Sequence, residues 1–393
     1  MKNSMKNLVD KRKKAFFKNI YNKYLPDKYN KVQFVVLTHV VLDLVDFYNE
    51  LGNYGEIRLL MPIPYSLDTR VLDLLSKKTT QVEILKLDQL SDPVYLLEIF
   101  KKNVDSNKET IIVEVGGYFA PIINQIKECM GENLLGVVED TEAGHLMYSN
   151  LNELNVPVYS VARSDLKSPE DALIGTSCVC ATKKLIRKNK GLFNNHTALV
   201  LGYGKIGQGI ARVLHLLHKR VLVYDTNPIL RALALSHGFS IPTRQNAIKQ
   251  ANFIYGATAN HSIKLRDLEL LQNGAVLISC SSRAKEYDID SFEKKYGKLK
   301  ISRNLERYEK GNYNFYLAAY GLPINFKNGN ILVGPIISLV RGEIAMCVTK
   351  LMSNTQIEHE VMKISYKEKQ ELSFLWLKYF VDKKIGRYKS GKQ

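Results

Sequence analysis

The chain has 393 residues and an apolar fraction of 45%, which favour two or three globular domains. Its formal net charge is +17, but no basic helix interleaved with aromatic residues accompanies the charge, so nucleic-acid binding is not expected. No apolar run is long enough to cross a membrane, and the basic N-terminus lacks the apolar core of a signal peptide. A cytoplasmic protein without membrane or nucleic-acid partners is therefore predicted.

The five cysteines are scattered and odd in number, which predicts free thiols rather than a disulfide framework. Cys178 and Cys180 lie close together but lack further partners at metal-ligand spacing. We therefore expect buried thiols at these two positions and no metal site.

Short apolar runs alternate with helix-length segments along the first part of the chain. Buried runs of this kind between helices predict a parallel sheet with helices on both faces. The runs are VQFVVL (32–37), EIRLLMPI (56–63), QVEILKL (81–87), TIIVEV (110–115), LLGVVE (134–139) and VPVYSVA (156–162).

A second alternating series begins at Thr197. Its predicted strands are 197–201, 220–225, 252–258, 274–280 and 299–304. The later run GPIISLVRGEIAMCVTKLM (334–352) predicts a long helix outside this series, with Pro335 near its start. We expect this helix to return to the first domain.

Gly202, Gly204 and Gly207 form a G-x-G-x-x-G motif between a predicted strand and an amphipathic helix, and Asp225 ends the next strand. This context favours a dinucleotide site over a glycine-rich turn in an empty domain. The glycines would provide a tight turn, a close backbone approach to the pyrophosphate and close helix packing, and Lys205 and Ile206 would begin the helix beside it. Asp225 would accept hydrogen bonds from ribose hydroxyls, which predicts NAD rather than NADP.

The predicted fold class is therefore α/β, with two doubly wound parallel-sheet domains, the second a Rossmann NAD-binding domain. The predicted boundaries are a substrate-binding domain at 1–180 completed by 330–362, the Rossmann domain at 181–329 and a C-terminal arm at 363–393.

Lys167 and Asp171 stand four positions apart in KSPEDALIG, shortly before the glycine motif. By spacing alone they could be an exposed ion pair of little energetic value. The alternative is that they perform the chemistry that the dinucleotide serves.

Five segments together resemble the S-adenosylhomocysteine hydrolase family, over most of the chain and in the same order. They are GVVEDTEAGHLMY, KSPEDALIG, GYGKIGQGIARVL, YDTNPILRALALSHGF and AAYGLPINF. The resemblance implies that a tightly held NAD oxidises the 3′-hydroxyl of a nucleoside, that the 5′ group is then eliminated and water adds, and that the ketone is reduced again. It also implies a homo-oligomer, in which Tyr388 and Lys389 are possible counterparts of tail residues that reach a neighbour's cofactor.

The resemblance assigns roles to particular residues. Lys167 and Asp171 match the family's lysine and aspartate beside the reacting hydroxyl, where a base and a donor are needed. Asp140 takes the place of a glutamate that holds the ribose hydroxyls, and Thr141 matches the threonine beside it. Asn325, in AAYGLPINF, matches an asparagine of the cofactor site.

His39 and Asp43 match an early H-x-x-x-E pair that handles the leaving group and the base, but the local alignment needs a gap. A single histidine after a strand is equally compatible with a packed or capping role. His39 is therefore expected in the catalytic group and Asp43 among the substrate contacts only if this alignment holds.

Other family positions have changed. Val115 stands where an acidic group assists the 5′ step, and Ala172 replaces the asparagine beside the catalytic aspartate. The family histidines aligned with SCSSRAKEYD and NGNILVGP are absent. Three interpretations stay open: a hydrolase of adenosylhomocysteine or another S-ribosyl thioether; a dehydratase, lyase or oxidoreductase that uses 3′-keto chemistry on another nucleoside or sugar; and a catalytically silent NAD-binding regulatory protein.

Overall fold

A computed structural model describes residues 2–25, 31–189, 196–282, 286–328, 334–353 and 360–381. The chain divides into two compact units, and the second is inserted into the first. The first unit comprises Met1–Lys167 and Gly334–Gln393, and the second comprises Ser168–Val333. The boundary predicted at 180/181 falls inside a continuous helix, Ser168–Lys188, and this helix belongs to the second unit.

The described part of the first unit contains one seven-stranded sheet, ordered β14-β6-β5-β4-β1-β2-β3, in which every pairing is parallel. Its strands are β1 Val32–Val40, β2 Gly55–Leu67, β3 Thr79–Val82, β4 Thr110–Glu114, β5 Leu134–Glu139, β6 Val158–Ser160 and β14 Val361–Met362. The run QVEILKL was predicted as one strand. That prediction was only partly right, because β3 ends at Val82 and a short helix begins at Leu87.

Helices cover this sheet. They are α1 Lys2–Tyr24, α2 Val45–Tyr54, α3 Thr69–Ser76, α4 Leu87–Leu90, α5 Pro93–Asn103, α6 Ile123–Met130, α7 Glu142–Ser149, α13 Ile337–Met352 and α14 Tyr366–Phe380. The predicted long helix is α13, which is buried along nearly its whole length and packs on α1, α14 and β5. Leu351 of α13 lies over Gly136 of β5, where a Cβ atom would come within 2.6 Å of the leucine side chain. Glycine at this position lets the helix approach the sheet closely.

The described part of the second unit holds another seven-stranded sheet, ordered β11-β12-β13-β10-β9-β7-β8. Its strands are β7 Thr197–Leu201, β8 Arg220–Tyr224, β9 Phe253–Gly256, β10 Ala275–Ser279, β11 Gly297–Ser302, β12 Leu305–Lys310 and β13 Tyr313–Ala318. Its helices are α8 Ser168–Lys188, α9 Lys205–Leu216, α10 Pro228–Ser236, α11 Arg244–Gln250 and α12 Ile289–Lys295.

The two additional strands β12 and β13 correct the prediction of an all-parallel second sheet. β11, β12 and β13 pair in antiparallel fashion, and β13 then joins β10 in parallel. Gly311, at φ 59°, provides the left-handed backbone in the turn between β12 and β13. The mixed sheet remains of the α/β class, because the strands beside the glycine motif are all parallel.

In each sheet the chain starts at an inner strand, adds strands on one side of it and then crosses to the other side. The strand order reverses between β1 and β4 in the first unit and between β7 and β9 in the second. Ligands of open parallel sheets bind beyond the carboxyl ends of the strands at such a point. The candidate residues should therefore follow these strands.

The cysteine prediction holds in part. Cys178, Cys280 and Cys347 are buried free thiols, as is expected of small apolar side chains. Cys180 is exposed, so its predicted burial was wrong, because a shift of two positions along α8 turns the side chain to the outer face. No helix in the described part of the chain is long and apolar enough to span a membrane.

Candidate cofactor and substrate sites

The glycine motif occupies the turn between β7 and α9. Gly202 has φ +91°, and a Cβ atom there would lie 2.5 Å from the carbonyl oxygen of Ala257. A Cβ atom on Gly207 would collide with the carbonyl oxygen of Gly202. A Cβ atom on Gly204, by contrast, would meet no described atom within 4 Å. The first and third glycines are therefore required for packing, whereas the second leaves open space beside the backbone.

Helix α9 begins directly after this open space. Gly204 is its N-cap residue, and Lys205 and Ile206 form its first turn. The first backbone N–H groups of a helix lack intrahelical partners and favour an anion. This turn is thus suited to a pyrophosphate.

Asp225 follows β8 and joins two loops. Its carboxylate accepts hydrogen bonds from the backbone N–H of Tyr203 at 2.6 Å and of Asn227 at 2.8 Å. Each carboxylate oxygen has a second lone pair. Asp225 is therefore oriented by the glycine loop and can still accept ribose hydroxyls.

Asn325 is a buried side chain in the 3₁₀ turn Ile324–Asn328. Its Oδ1 atom accepts no hydrogen bond from the described residues. Ala319, Tyr320 and Gly321 precede it in a left-handed turn, with φ values of 54°, 60° and 74°. Buried amide oxygens normally have partners, and backbone strain concentrates at ligand sites. The orphaned oxygen, the open space at Gly204 and the first turn of α9 fit a dinucleotide.

Asp171 lies in the first turn of α8 and is 7% exposed. Two glycines allow α8 and α9 to cross with their backbones in contact: a Cβ atom on Gly175 would lie 2.7 Å from the nitrogen of Ile210, and one on Gly209 would lie 2.8 Å from the carbonyl oxygen of Ala172. The small Ala172 therefore permits this close crossing. As a result, Lys205 Nζ lies 4.0 Å from Asp171 Oδ2.

Asp140 is the centre of a buried charge cluster in the first unit. Lys167 Nζ lies 2.7 Å from its Oδ1 atom, and Arg341 Nη1 lies 2.9 Å from its Oδ2 atom. The exposed fractions are 4%, 7% and 3% for Asp140, Lys167 and Arg341. Burial alone would raise the pKa of Asp140, but Arg341 and Lys167 outweigh it and hold that pKa well below its ordinary value. Asp140 is therefore an anion that is neutralised from both sides.

The predicted Lys167–Asp171 pair is not exposed surface charge, because both side chains are buried. Lys167 ends the first unit and Asp171 lies in the second. Within its own unit Lys167 bonds Asp140, a contact that the four-residue spacing does not indicate.

His39 lies at the carboxyl end of β1. Its Nδ1 atom hydrogen-bonds the hydroxyl of Ser66 at 2.6 Å. Burial, with a smaller effect of Arg341, lowers the pKa of His39 to about 3, so the imidazole is neutral near pH 7. Asp43 lies instead in the 3₁₀ turn Leu42–Leu44 and forms an ion pair with Lys13 of α1 at 3.4 Å.

Thr141 caps helix α7 and contacts a second buried acid. Its backbone N–H and its hydroxyl both donate to Glu139 Oε1, each at 2.6 Å. The backbone N–H groups of Gly116 and Gly117 donate to the same carboxyl group, at 3.0 and 2.9 Å. Glu139 therefore holds the loops after β4 and β5 together beside Asp140. Val115, in the first of these loops, is buried.

Sequence reasoning missed Arg341 and Glu343, which α13 carries into the first unit's interior. Glu343 is buried, and its Oε2 atom has no hydrogen-bond partner among the described residues. Burial raises the pKa of Glu343 to about 7, although a hydrogen bond from Ser164 opposes the shift. The signal that could have revealed both residues is their position within an otherwise apolar helix, since buried charges are rare unless paired.

Some predictions fall where the structure gives no description. Tyr388 and Lys389 lie outside the described residues, as do residues 283–285 and 329–333 of the two segments in which the family histidines are absent.

Comparison with known proteins identifies the second unit. Residues 179–330 match the family model of the S-adenosyl-L-homocysteine hydrolase NAD-binding domain. An adenosylhomocysteinase of Thermotoga maritima is 29% identical over 59% of this chain and 59% of its own length. An S-inosyl-L-homocysteine hydrolase of Methanococcus maripaludis is 25% identical over 71% of this chain and 68% of its own.

Among solved structures, a transhydrogenase of Sinorhizobium meliloti aligns with 85% of this chain and 99% of its own, with a TM-score of 0.41 and 12% identity. The alignment with the Thermotoga maritima relative spans less than two thirds of that protein. The second unit therefore contains an NAD-binding domain of the S-adenosyl-L-homocysteine hydrolase type, with NAD as its cofactor, and the chain is similar to members of that family.

Proposed function

We propose that the chain is an adenosylhomocysteinase-like enzyme, which oxidises the 3′-hydroxyl of a nucleoside, eliminates or hydrolyses at the 5′ position and then reduces the ketone again. NAD, when bound, accepts the hydride from the substrate and returns it. The observation that carries the proposal is the buried Lys167–Asp140 ion pair in a chain that has this family's NAD-binding domain.

Lys167 is proposed as the base that takes the hydroxyl proton. A lysine can do this only as the neutral amine, so Lys167 must lose its own proton before it accepts that of the substrate. Asp140 accepts the ribose hydroxyls through the lone pairs that Lys167 and Arg341 leave available. Asp171 is proposed as a second group at the reacting hydroxyl, and Thr141 as a substrate contact.

On the NAD side, Gly202 and Gly207 would shape the loop and Gly204 would admit the pyrophosphate. Lys205 and Ile206 would bind it through the first turn of α9, Asp225 would hold the ribose and Asn325 would bond the nicotinamide end. The open space at Gly204 and the orphaned oxygen of Asn325 support these assignments.

The proposed substrate is a nucleoside or a nucleoside S-ribosyl thioether. A relative named for S-inosyl-L-homocysteine indicates that the base varies among similar proteins. His39 is the proposed contact for the 5′ step, because it lies at the carboxyl end of β1 and its neutral imidazole can form a hydrogen bond to the 5′ group near pH 7. Asp43, as a substrate contact, has weaker support because it is paired with Lys13.

A second candidate follows from Val115. An apolar side chain at this position cannot assist proton transfer at the 5′ step. This favours a lyase, dehydratase or oxidoreductase that shares the 3′-oxidation but releases a different product. We also propose a homo-oligomer, by the family resemblance, and a cytoplasmic location, by the scattered free cysteines.

The test begins with the purified protein and the nucleotide that it releases on denaturation. NAD-loaded protein is mixed with adenosine, S-adenosylhomocysteine or S-inosylhomocysteine, and the absorbance of reduced nicotinamide is followed. We expect a transient rise that is lost in Lys167→Ala and kept in Lys127→Ala, whose lysine pairs with the exposed Glu132. A protein that holds NAD but shows no rise with any of the three compounds contradicts 3′-oxidation of these nucleosides.

Product analysis separates the two candidates. Homocysteine together with the free nucleoside supports the hydrolase. An unsaturated or ketonic nucleoside that accumulates supports the lyase or oxidoreductase.

A further inference from the structure

Two cations and one anion make up the buried cluster around Asp140. Lys167 and Arg341 each bond a different oxygen of the Asp140 carboxylate. When all three groups are ionised, the cluster carries a net charge of +1 in a region that water hardly reaches. Burial disfavours such a surplus charge.

Other titratable groups of the first unit interact electrostatically with this cluster. They are His39 on β1, Tyr48 on α2 and Glu343 on α13. Asp165 lies in the same 3₁₀ turn as Lys167 and is paired with Lys369 of α14. His39 is neutral near pH 7. Lys369 lies 3.7 Å from Asp165 and so has its own partner. Glu343 becomes an anion only as the pH rises through about 7, because burial raises its pKa.

Of the three groups in the cluster, Lys167 is the one that can readily lose charge. A guanidinium stays protonated throughout the accessible pH range, and Asp140 is held as the anion by its two partners. Release of one proton from Lys167 converts the cluster into the neutral pair Arg341–Asp140. Without Arg341 the same release would leave Asp140 as a buried anion with no counter-charge, at a large energetic cost.

We propose that Arg341 is a positioning residue that keeps Asp140 compensated whenever Lys167 is neutral, and so enables Lys167 to act as a base near neutral pH. The inference rests on the proposed function, in which Lys167 takes the proton of the 3′-hydroxyl. The ammonium of Lys167 first loses a proton to water, and the neutral amine then accepts the hydroxyl proton. Arg341 contacts Asp140 and acts on Lys167 only through it.

The test measures the titration of Lys167 without any substrate. Full-length protein is labelled with a trace of acetic anhydride at a series of pH values, and acetylation of the peptide that contains Lys167 is quantified by mass spectrometry. In Arg341→Gln we expect the neutral fraction of Lys167 at a given pH to fall about tenfold or more, since one pH unit in the labelling midpoint is tenfold. Arg341→Lys should recover at least half of that shift.

Matched variants separate charge from packing. Arg70→Gln removes the same charge from an exposed ion pair with Asp68 and should leave the midpoint of Lys167 unchanged. Arg341→Met keeps more of the apolar volume and replaces Arg341→Gln if the latter does not fold. A folded Arg341→Gln or Arg341→Met protein whose Lys167 labels as in the wild type overturns the inference.

Failure of the proposed function would give a different result. If the wild type oxidises none of the three nucleosides while the midpoint of Lys167 still depends on Arg341, the coupling is established and the substrate assignment fails. If oxidation occurs, its pH profile should move to higher pH in Arg341→Gln and return toward the wild type in Arg341→Lys. A loss of rate at all pH values with an unmoved profile also overturns the inference.

Discussion

Glu114 and Glu139 lie opposite each other in the register of β4 and β5, and both side chains are fully buried. Two carboxylates in such positions repel each other in a medium of low dielectric constant. Burial and then Glu114 raise the pKa of Glu139 to about 8, against the opposing hydrogen bonds of Thr141 and Gly116. One proton is therefore retained in the native pair near pH 7.

This proton predicts the pH dependence of stability. Between pH 4.5 and about 8 the native Glu139 is protonated, whereas an unfolded glutamate is ionised. The native state binds more protons, so the free energy of unfolding should fall as the pH rises through this window and level off above it. Glu139→Gln should flatten the curve by about 1 kcal/mol or more, measured by urea unfolding at pH 5, 7 and 9.

Glu132→Gln is the matched control, because Glu132 is an exposed partner of Lys127. It should reproduce the wild-type slope. A wild-type stability that rises from pH 5 to pH 8, or a Glu139→Gln curve as steep as the wild type's, would show that the pair is fully ionised in the native state.

Two glycines of the same motif should respond differently to alanine. Gly204→Ala adds a methyl group that meets no described atom, so thermal stability should change by less than about 1 kcal/mol while NAD binding weakens about tenfold or more. Gly207→Ala drives a methyl group into the carbonyl of Gly202 and should cost more than about 2 kcal/mol. Calorimetry of the cofactor-free protein and NAD titration separate the two effects, and equal loss of stability in both variants would contradict this assignment.

The side-chain oxygen of Asn325 has no partner in the described chain, so its removal should keep or raise stability while it weakens NAD binding. Asn325→Leu removes a buried acceptor without a partner in the described chain, so the cofactor-free protein should be as stable as the wild type or more stable, by up to about 2 kcal/mol. NAD affinity should fall. Asn246→Leu, on the exposed side of α11, serves as the control for added apolar surface. Unchanged NAD affinity in Asn325→Leu would remove Asn325 from the cofactor site.

Asp43 and Lys13 provide a test of a structural role against a binding role. Lys13 is buried, so Asp43→Asn should leave its charge without a partner and lower stability by roughly 1–2 kcal/mol. The additional change Lys13→Met should recover most of this loss. If Asp43 contacts substrate instead, the Michaelis constant will rise in Asp43→Asn and in the double variant alike, even where Lys13→Met has restored the free energy of unfolding.

Local sequence patterns predicted most of the strands. LLGVVE and TALVL became β5 and β7 at the predicted residues, because a fully buried parallel strand needs only a short apolar run between turns. The run NLERYEKGNYNFYLA was not recognised as the β12–β13 hairpin. The partly exposed Arg307 and Glu309 flank the buried Tyr308, and such local alternation is typical of a half-exposed antiparallel pair.

The site was less predictable because its contacts are distant in sequence. The glycine motif is one continuous segment, so spacing alone reveals it. The pairing of Lys167 with Asp140 depends on two different loops, and Arg341 joins them only after the chain has passed through the whole second unit. No local repeat in the sequence links residues so far apart, and the sequence signal that Arg341 does carry, a charge within a largely apolar helix, was not used.

The insertion of the second unit into the first also affects the order of synthesis. A ribosome completes residues 168–333 before it reaches the segments that form α13, α14 and β14. Until then β6 lacks the strand that pairs with its outer edge, and β5 lacks the helix that Leu351 anchors over Gly136. The NAD-binding domain is continuous in sequence and can fold as soon as it emerges. The nascent first unit, with its apolar parallel strands still uncovered, is therefore the part of the chain that chaperones would have to protect.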